Sequence, residues 1–189
     1  MLALLASYEK DAPLLRLGKL LKEHGWTLLG SAGTAKYLNE HDVVCRDVAE
    51  IVGKPILGHR VVTLSRELHA ALLSRPEDTD ELKGLGIEPI DLVYVTLYPL
   101  EETIRVGGSS EEVLEKTDIG GPTLLRAAAK GRRFVLSSSA QIDEFEQHLA
   151  DNALDANYRT KLAAEAERRV AEYVATSASY WESNNGSRA

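Results

Sequence analysis

Apolar residues follow two alternating rhythms along this chain. Short continuous runs fit buried strands, and runs that recur every three to four residues fit helices with one covered face. Residues 2–6 form the first short run. Leu14, Leu17 and Leu21 follow at helical spacing, and Gly25 stands where a C-terminal cap belongs. Residues 26–29 read as a second strand. They lead into Gly30-Ser31-Ala32-Gly33-Thr34, a small-residue turn that opens a helix through Ala35, Tyr37 and Leu38. Residues 43–48 form a third extended segment. From 51 to 75 the pattern weakens: Gly53, Pro55 and Gly58 predict a loop, and Leu68, Ala71 and Leu72 predict a helix within 65–74. Residues 90–97 are continuous and rich in β-branched side chains, as in a strand buried on both faces. Pro99 ends that strand, because proline cannot continue a central ladder.

The second half repeats the alternation. A short acidic helix is predicted at 111–116, a glycine turn at Asp118-Ile119-Gly120-Gly121-Pro122, a helix through Ala127–Ala129 and a strand at 134–136. Helices follow around 142–149 and from about 158 to 180. The last places Leu162, Ala166, Val170, Tyr173 and Val174 on one face. Strands alternating with amphipathic helices predict an α/β domain with a parallel sheet covered by helices. One domain over 1–182 is expected, with a polar, frayed tail at 183–189.

Composition narrows the function classes. The 189 residues suffice to bury a core without staples. The net charge of −7 excludes a general nucleic-acid surface, so any phosphate must be held at one local site. The single Cys45 excludes an intrachain disulfide, and neither it nor the five histidines has zinc-ligand spacing, so no metal is expected. No run is long and apolar enough to span a bilayer. The first seven residues lack a basic region and soon meet Glu9, Lys10 and Asp11, which predicts a strand and not a signal peptide. The expectation is a reduced, cytoplasmic protein.

Ligands in open parallel sheets bind beyond the carboxyl ends of the strands. Three loops qualify. The first follows strand one and holds Lys10. The second is Gly30–Thr34, where backbone N–H groups at a helix N-terminus can meet an anion and Thr34 can add a hydroxyl. The third is Asp118–Pro122, whose paired glycines bring amides close to a ligand and whose proline suits a first helical turn. Each has a purely structural alternative. Asp118 can cap its helix, Lys130 can complement the helix dipole, and Tyr98 can simply pack at the end of its strand. No nucleophile elbow and no complete dinucleotide fingerprint is present.

Several segments occur together and in order: Ala3-Leu4-Leu5, Gly33-Thr34-Ala35-Lys36, Gly58-His59-Arg60-Val61-Val62-Thr63-Leu64, Ile90-Asp91-Leu92-Val93, Leu97-Tyr98-Pro99, and Asp118-Ile119-Gly120-Gly121-Pro122-Thr123-Leu124-Leu125-Arg126-Ala127-Ala128-Ala129-Lys130. This set resembles the IMP cyclohydrolase domain, the N-terminal half of the bifunctional enzyme that also carries AICAR transformylase. The resemblance implies a methylglyoxal-synthase-like three-layer fold, with a central, mainly parallel sheet flanked by helices. It implies closure of FAICAR, or of a related formamido-carboxamide nucleotide, to IMP or an analogue, with loss of water and no cofactor.

The same resemblance assigns roles. Asp118 orients or deprotonates the carboxamide, while Tyr98 and Lys130 stabilise charge and shuttle the proton. Backbone amides of Gly120 and Gly121 meet the oxyanion. Phosphate sits against Lys10, Ser31, Gly33 and Thr34, with Arg60 and Thr63 nearby. The chain departs from the family at Val62, where a lysine is expected, at Ser65-Arg66 for His-Pro, at Ala6–Ala12, and at Thr96 for asparagine. Arg66 or His59 is the candidate to restore the lost charge. The alternative is a non-catalytic purine-nucleotide-binding or regulatory module; a methylglyoxal-synthase-type lyase fits the Asp118–Lys130 motif less well. The implied partners are a purine nucleotide and a separate AICAR transformylase, not nucleic acid or membrane. The chain either stays monomeric or forms a homodimer, the helix at 158–180 being the candidate surface.

Overall fold

The first strand of the chain ends up in the middle of the sheet. Among the described residues, which are 1–58 and 60–184 of a computed structural model, five parallel strands form one sheet. They are β1 (Leu2–Ser7), β2 (Thr27–Gly30), β3 (Arg46–Asp47), β4 (Leu92–Thr96) and β5 (Phe134–Leu136), in the order β3-β2-β1-β4-β5. The chain winds outward from β1 to β3, then returns to lay β4 against the other side of β1. Register fixes Leu5 opposite Tyr94 and Ser7 opposite Thr96. The direction of winding reverses between β1 and β4, which opens a crevice beyond their carboxyl ends.

Ten α-helices among the described residues cover the sheet. They are α1 (Ala12–Glu23), α2 (Ala32–Asn39), α3 (Ala49–Val52), α4 (Arg66–Leu73), α5 (Thr79–Gly84), α6 (Leu100–Arg105), α7 (Ser110–Glu115), α8 (Gly120–Lys130), α9 (Ile142–Ala150) and α10 (Ala156–Asn184). Local chemistry sets their starts. The Asp11 carboxylate accepts the Leu14 N–H at 3.0 Å with Pro13 in the first turn of α1, and Ser65 Oγ accepts the Leu68 N–H at 3.1 Å at α4. Right-handed crossovers put α1 and α2 on one face and α8 on the other, where α8 packs against β4, β5, α4 and α10. Both faces are therefore covered, and Leu4, Leu5, Leu29, Val93, Tyr94 and Val135 are buried.

The expected α/β architecture is present, with differences at the edges. The extended segment at 43–48 contributes only a two-residue strand, and the 90–97 run pairs over Leu92–Thr96. The last helix starts earlier than the apolar stripe suggests, at Ala156, and continues through Ser183 and Asn184; residues 185–189 of the expected tail lie outside the described residues. Cys45 is buried, which pushes its thiol up to about 12 and leaves it chemically inert. Among the described residues no helix is long and apolar enough to cross a membrane.

The turn after α8 joins the two covering helices of one face. A Cβ on Gly131 would lie 1.9 Å from the Leu72 carbonyl oxygen, and the Arg133 guanidinium donates to Leu72 O at 2.8 Å and to Ser74 O at 2.5 Å. A last-turn carbonyl of α4 and that of the following Ser74 thus find donors in the residue just before β5. Gly131→Ala is expected to lower stability by about 1–3 kcal/mol through this overlap, measured as a fall in denaturation midpoint; an unchanged midpoint would contradict the close approach.

Candidate functional site

A cavity of about 550 Å³ occupies the crevice at the carboxyl ends of β1 and β4. Its floor is polar and tied together by hydroxyls. Thr96 Oγ1 shares a 2.8 Å hydrogen bond with Ser7 Oγ and accepts the Tyr8 N–H at 2.8 Å, so the end of β4 folds the β1 loop over the cavity. Thr34 Oγ1 accepts the Ser7 N–H at 3.1 Å and the Ser31 hydroxyl at 3.0 Å.

One wall pairs a helix N-terminus with a lysine. Ser31 spends its hydroxyl on Thr34 and makes no side-chain cap to α2, and exposed Ala32 and Gly33 open the helix at the cavity edge. Lys10 folds back over this point, with its ammonium donating to the carbonyls of Ser7 and Tyr8. Its Cε would be 3.4 Å from a Cβ on Gly33, so the glycine gives the lysine its room. Burial lowers the Lys10 ammonium from its usual range. A helix N-terminus with an adjacent cation is the arrangement that receives a phosphate group.

The opposite wall carries an acid and a phenol. The carboxylate of Asp118 lies across the first turn of α8, where Oδ1 accepts the Gly121 N–H at 3.1 Å. A Cβ on Gly121 would stand 2.3 Å from Oδ2, and one on Gly120 would stand 2.7 Å from Thr63 Oγ1. Close approach therefore requires Gly121, while at Gly120 a Cβ meets only the Thr63 hydroxyl that overhangs it. Burial pushes the Asp118 carboxyl up, against the opposing pull of the Gly121 and Gly120 amides. The Tyr98 phenol is also raised, first by burial and then by the Asp118 charge, with Lys116 acting in the other direction. The roof is a small hairpin in which Ile56 and Val61 exchange backbone hydrogen bonds at 3.0 and 3.2 Å, bringing Arg60, Val62 and Thr63 over the cavity. Val62 presents only apolar surface there. Among the described residues no three His, Cys, Asp or Glu side chains gather as a metal site.

Lys10, Ser31, Gly33, Arg60, Thr63, Tyr98, Asp118, Gly120 and Gly121 all line this one cavity. Other expected site residues do not. Lys130 is exposed at the far end of α8, about 15 Å from its first residue at the helical rise; it fits the dipole role and not the reaction centre. Thr34 is fully buried and braces Ser7 from below. Arg66 points to solvent and pairs with Glu67 at 3.4 Å. The Gly120 and Gly121 amides hold Asp118 and so are engaged before any oxyanion forms. His59 lies outside the described residues.

The structure also adds residues that the sequence pattern passes over. Tyr173, read there only as part of an apolar stripe, accepts the Asp118 N–H at 2.8 Å and donates to the Lys116 carbonyl at 2.6 Å. A buried tyrosine hydroxyl needs a partner, and that need was its signal. Tyr8 and Lys116 stand beside Tyr98 with no comparable signal in the sequence.

A parallel α/β sheet with a crevice at the switch point, and a lysine beside a helix N-terminus on one lip, defines the class. The MGS-like domain family matches residues 13–123, and the chain belongs to that family. It is 38% identical over 179 residues to the bifunctional purine biosynthesis protein PurH of Aquifex aeolicus, covering 92% of this chain and 35% of that protein. It is 40% identical over 183 residues to PurH of Cereibacter sphaeroides, covering 92% and 34%. The chain thus spans about a third of the length of these relatives, within their N-terminal half. The crystal structure of ForH superposes with a TM-score of 0.78 at 31% identity, covering 94% of this chain and 96% of that one.

The sign of the Asp118 shift gives a stability prediction. A carboxyl raised in the folded state binds its proton more tightly there than in the unfolded chain, so stability is full at low pH. It falls as pH rises from the ordinary value of 3.8 through the folded value. Asp118→Asn removes this dependence while keeping an oxygen for the Gly121 amide. Across that window the wild type is expected to lose melting temperature relative to Asp118→Asn as pH rises; a constant difference would contradict the buried carboxylate.

Proposed function

We propose that this chain is an IMP cyclohydrolase-like enzyme that closes a formamido-carboxamide ribonucleotide of the FAICAR type to IMP or an analogue. The observation that carries this reading is the convergence of Asp118 and Tyr98 on one wall of a cavity whose opposite wall is the Lys10–Gly33 anion cradle. The kinship with PurH supports it. A cavity of about 550 Å³ has the size of a small-molecule site.

The reaction is intramolecular, so holding the two side arms in contact supplies much of the acceleration. Lys10 and the amides at the start of α2 anchor the phosphate, leaving the heterocycle against Asp118 and Tyr98. The carboxamide nitrogen attacks the formyl carbon, and Asp118 takes one of its protons as the new C–N bond forms. Tyr98, a phenol protonated at neutral pH and held more firmly so by burial, hands its proton to the former formyl oxygen and is reprotonated through Asp118. The formamide N–H proton then follows to that oxygen as the C–O bond breaks, the ring C=N bond forms and water leaves. Thr63 and Arg60 on the roof supply donors to that oxygen in place of the engaged glycine amides. The substrate arrives already formylated, so an AICAR transformylase activity must supply it.

A second reading, a purine-nucleotide-binding module without turnover, is favoured by the apolar face that Val62 turns to the cavity. Incubation with FAICAR, followed by IMP absorbance, separates the two. The expected result is turnover above spontaneous closure, with kcat reduced about 10²–10⁴-fold in Asp118→Asn, and KM raised with smaller change in kcat in Lys10→Met. The rate rises with pH through the elevated Asp118 value. A rise in melting temperature with IMP and no turnover would instead establish the binding module.

A further inference from the structure

Two side chains that the proposed reaction leaves unused stand next to its phenol. Tyr8 follows the last residue of β1, and its ring centroid lies 4.9 Å from that of Tyr98, with the planes tilted by 54°. Lys116, just past α7, sets its ammonium 5.1 Å from the Tyr8 centroid and 5.7 Å from the Tyr98 centroid. The same ammonium donates to Tyr8 Oη at 3.3 Å. Both separations lie within the range in which a cation is attracted by the face of an aromatic ring. The lysine is half-buried, and its backbone is not free to drift. Tyr173 Oη donates to the Lys116 carbonyl at 2.6 Å and accepts the Asp118 N–H at 2.8 Å, so one hydroxyl from α10 places the cation and the carboxylate together.

We propose that Lys116 is the positioning cation of this site: held on the faces of Tyr8 and Tyr98, it orients the phenol and stabilises the negative oxygen left when Tyr98 gives up its proton. This rests on the ring-closure reading, in which Tyr98 donates to the departing oxygen. The groups facing Tyr98 are Tyr8 from the β1 loop, Glu115 and Lys116 around the end of α7, Asp118 from the loop before α8 and Tyr173 from α10. Among the described residues Lys116 is the one cation of this set, and the neighbouring carboxylates oppose it. Lys10 and Arg60 line the same cavity but serve the cradle and the roof. The roof residue Val62 brings no charge. Stabilising the phenolate therefore falls to Lys116.

The test compares Lys116→Met and Lys116→Arg with the wild type and with Asp118→Asn. The Tyr98 phenol is titrated in the substrate-free protein by tyrosine ultraviolet difference against Tyr98→Phe. The expected result is a Tyr98 titration displaced to higher pH in Lys116→Met and restored in Lys116→Arg. With FAICAR, kcat should fall roughly tenfold in Lys116→Met, KM should stay within about twofold, and Lys116→Arg should recover most of the rate. A folded Lys116→Met whose Tyr98 titration or kcat matches the wild type, while Asp118→Asn is silent, overturns this proposal and leaves the ring-closure reading standing. A wild type that does not close the ring overturns both.

Discussion

The site depends on a carboxylate resting directly on the first amides of a helix. Asp118 can lie there only because residue 121 has no Cβ. At Gly121 a side chain would fall 2.3 Å from the carboxylate oxygen and 2.8 Å from Leu97, just past the strand below. Gly121 thus brings α8 down onto β4, where its Cβ would meet Val95 at 3.2 Å, and admits the carboxylate in the same step. Helix N-terminal amides favour the ionised form and burial opposes it. The balance leaves Asp118 raised above an ordinary aspartate, the direction that suits the proton-acceptor role proposed for it. The same balance makes the group a local liability for stability, so function and folding pull against each other at this residue.

The rest of the cavity follows from the strand order. With β1 central and the winding reversed between β1 and β4, the loops after β1, β2 and β4 converge on one crevice. The phosphate-type cradle comes from the start of α2, the phenol from the end of β4, and the acid from the start of α8. The proposed phosphate site fits an acidic chain because it is local: one lysine folded over a bare helix N-terminus, with the hydroxyls below it spent on each other.

Much of this is legible in the letters. Continuous apolar runs mark β1, β2 and β4, and the glycine turns mark the two helix starts that form the site. What fails is distance along a helix and contact across the sequence. The Asp118–Lys130 stretch reads as one unit, yet a helix carries its ends about 15 Å apart, so only its beginning reaches the cavity. Thr34 is the right residue type in the right turn, but its hydroxyl faces Ser7, because the end of β1 needs a partner for its N–H. Arg66 faces away because the first residue of a helix capped by Ser65 leaves toward solvent and finds Glu67. Tyr8, Lys116 and Tyr173 come together from the first loop, the end of α7 and the last helix, and no local pattern in the sequence announces such a meeting.

A crystal structure with IMP bound tests the central claim most directly. The account predicts the phosphate on the Ser31–Gly33 turn beside Lys10, and the purine ring within hydrogen-bonding reach of Asp118 and Tyr98. A nucleotide seated with its phosphate away from that turn, or with its base remote from Asp118, would contradict it.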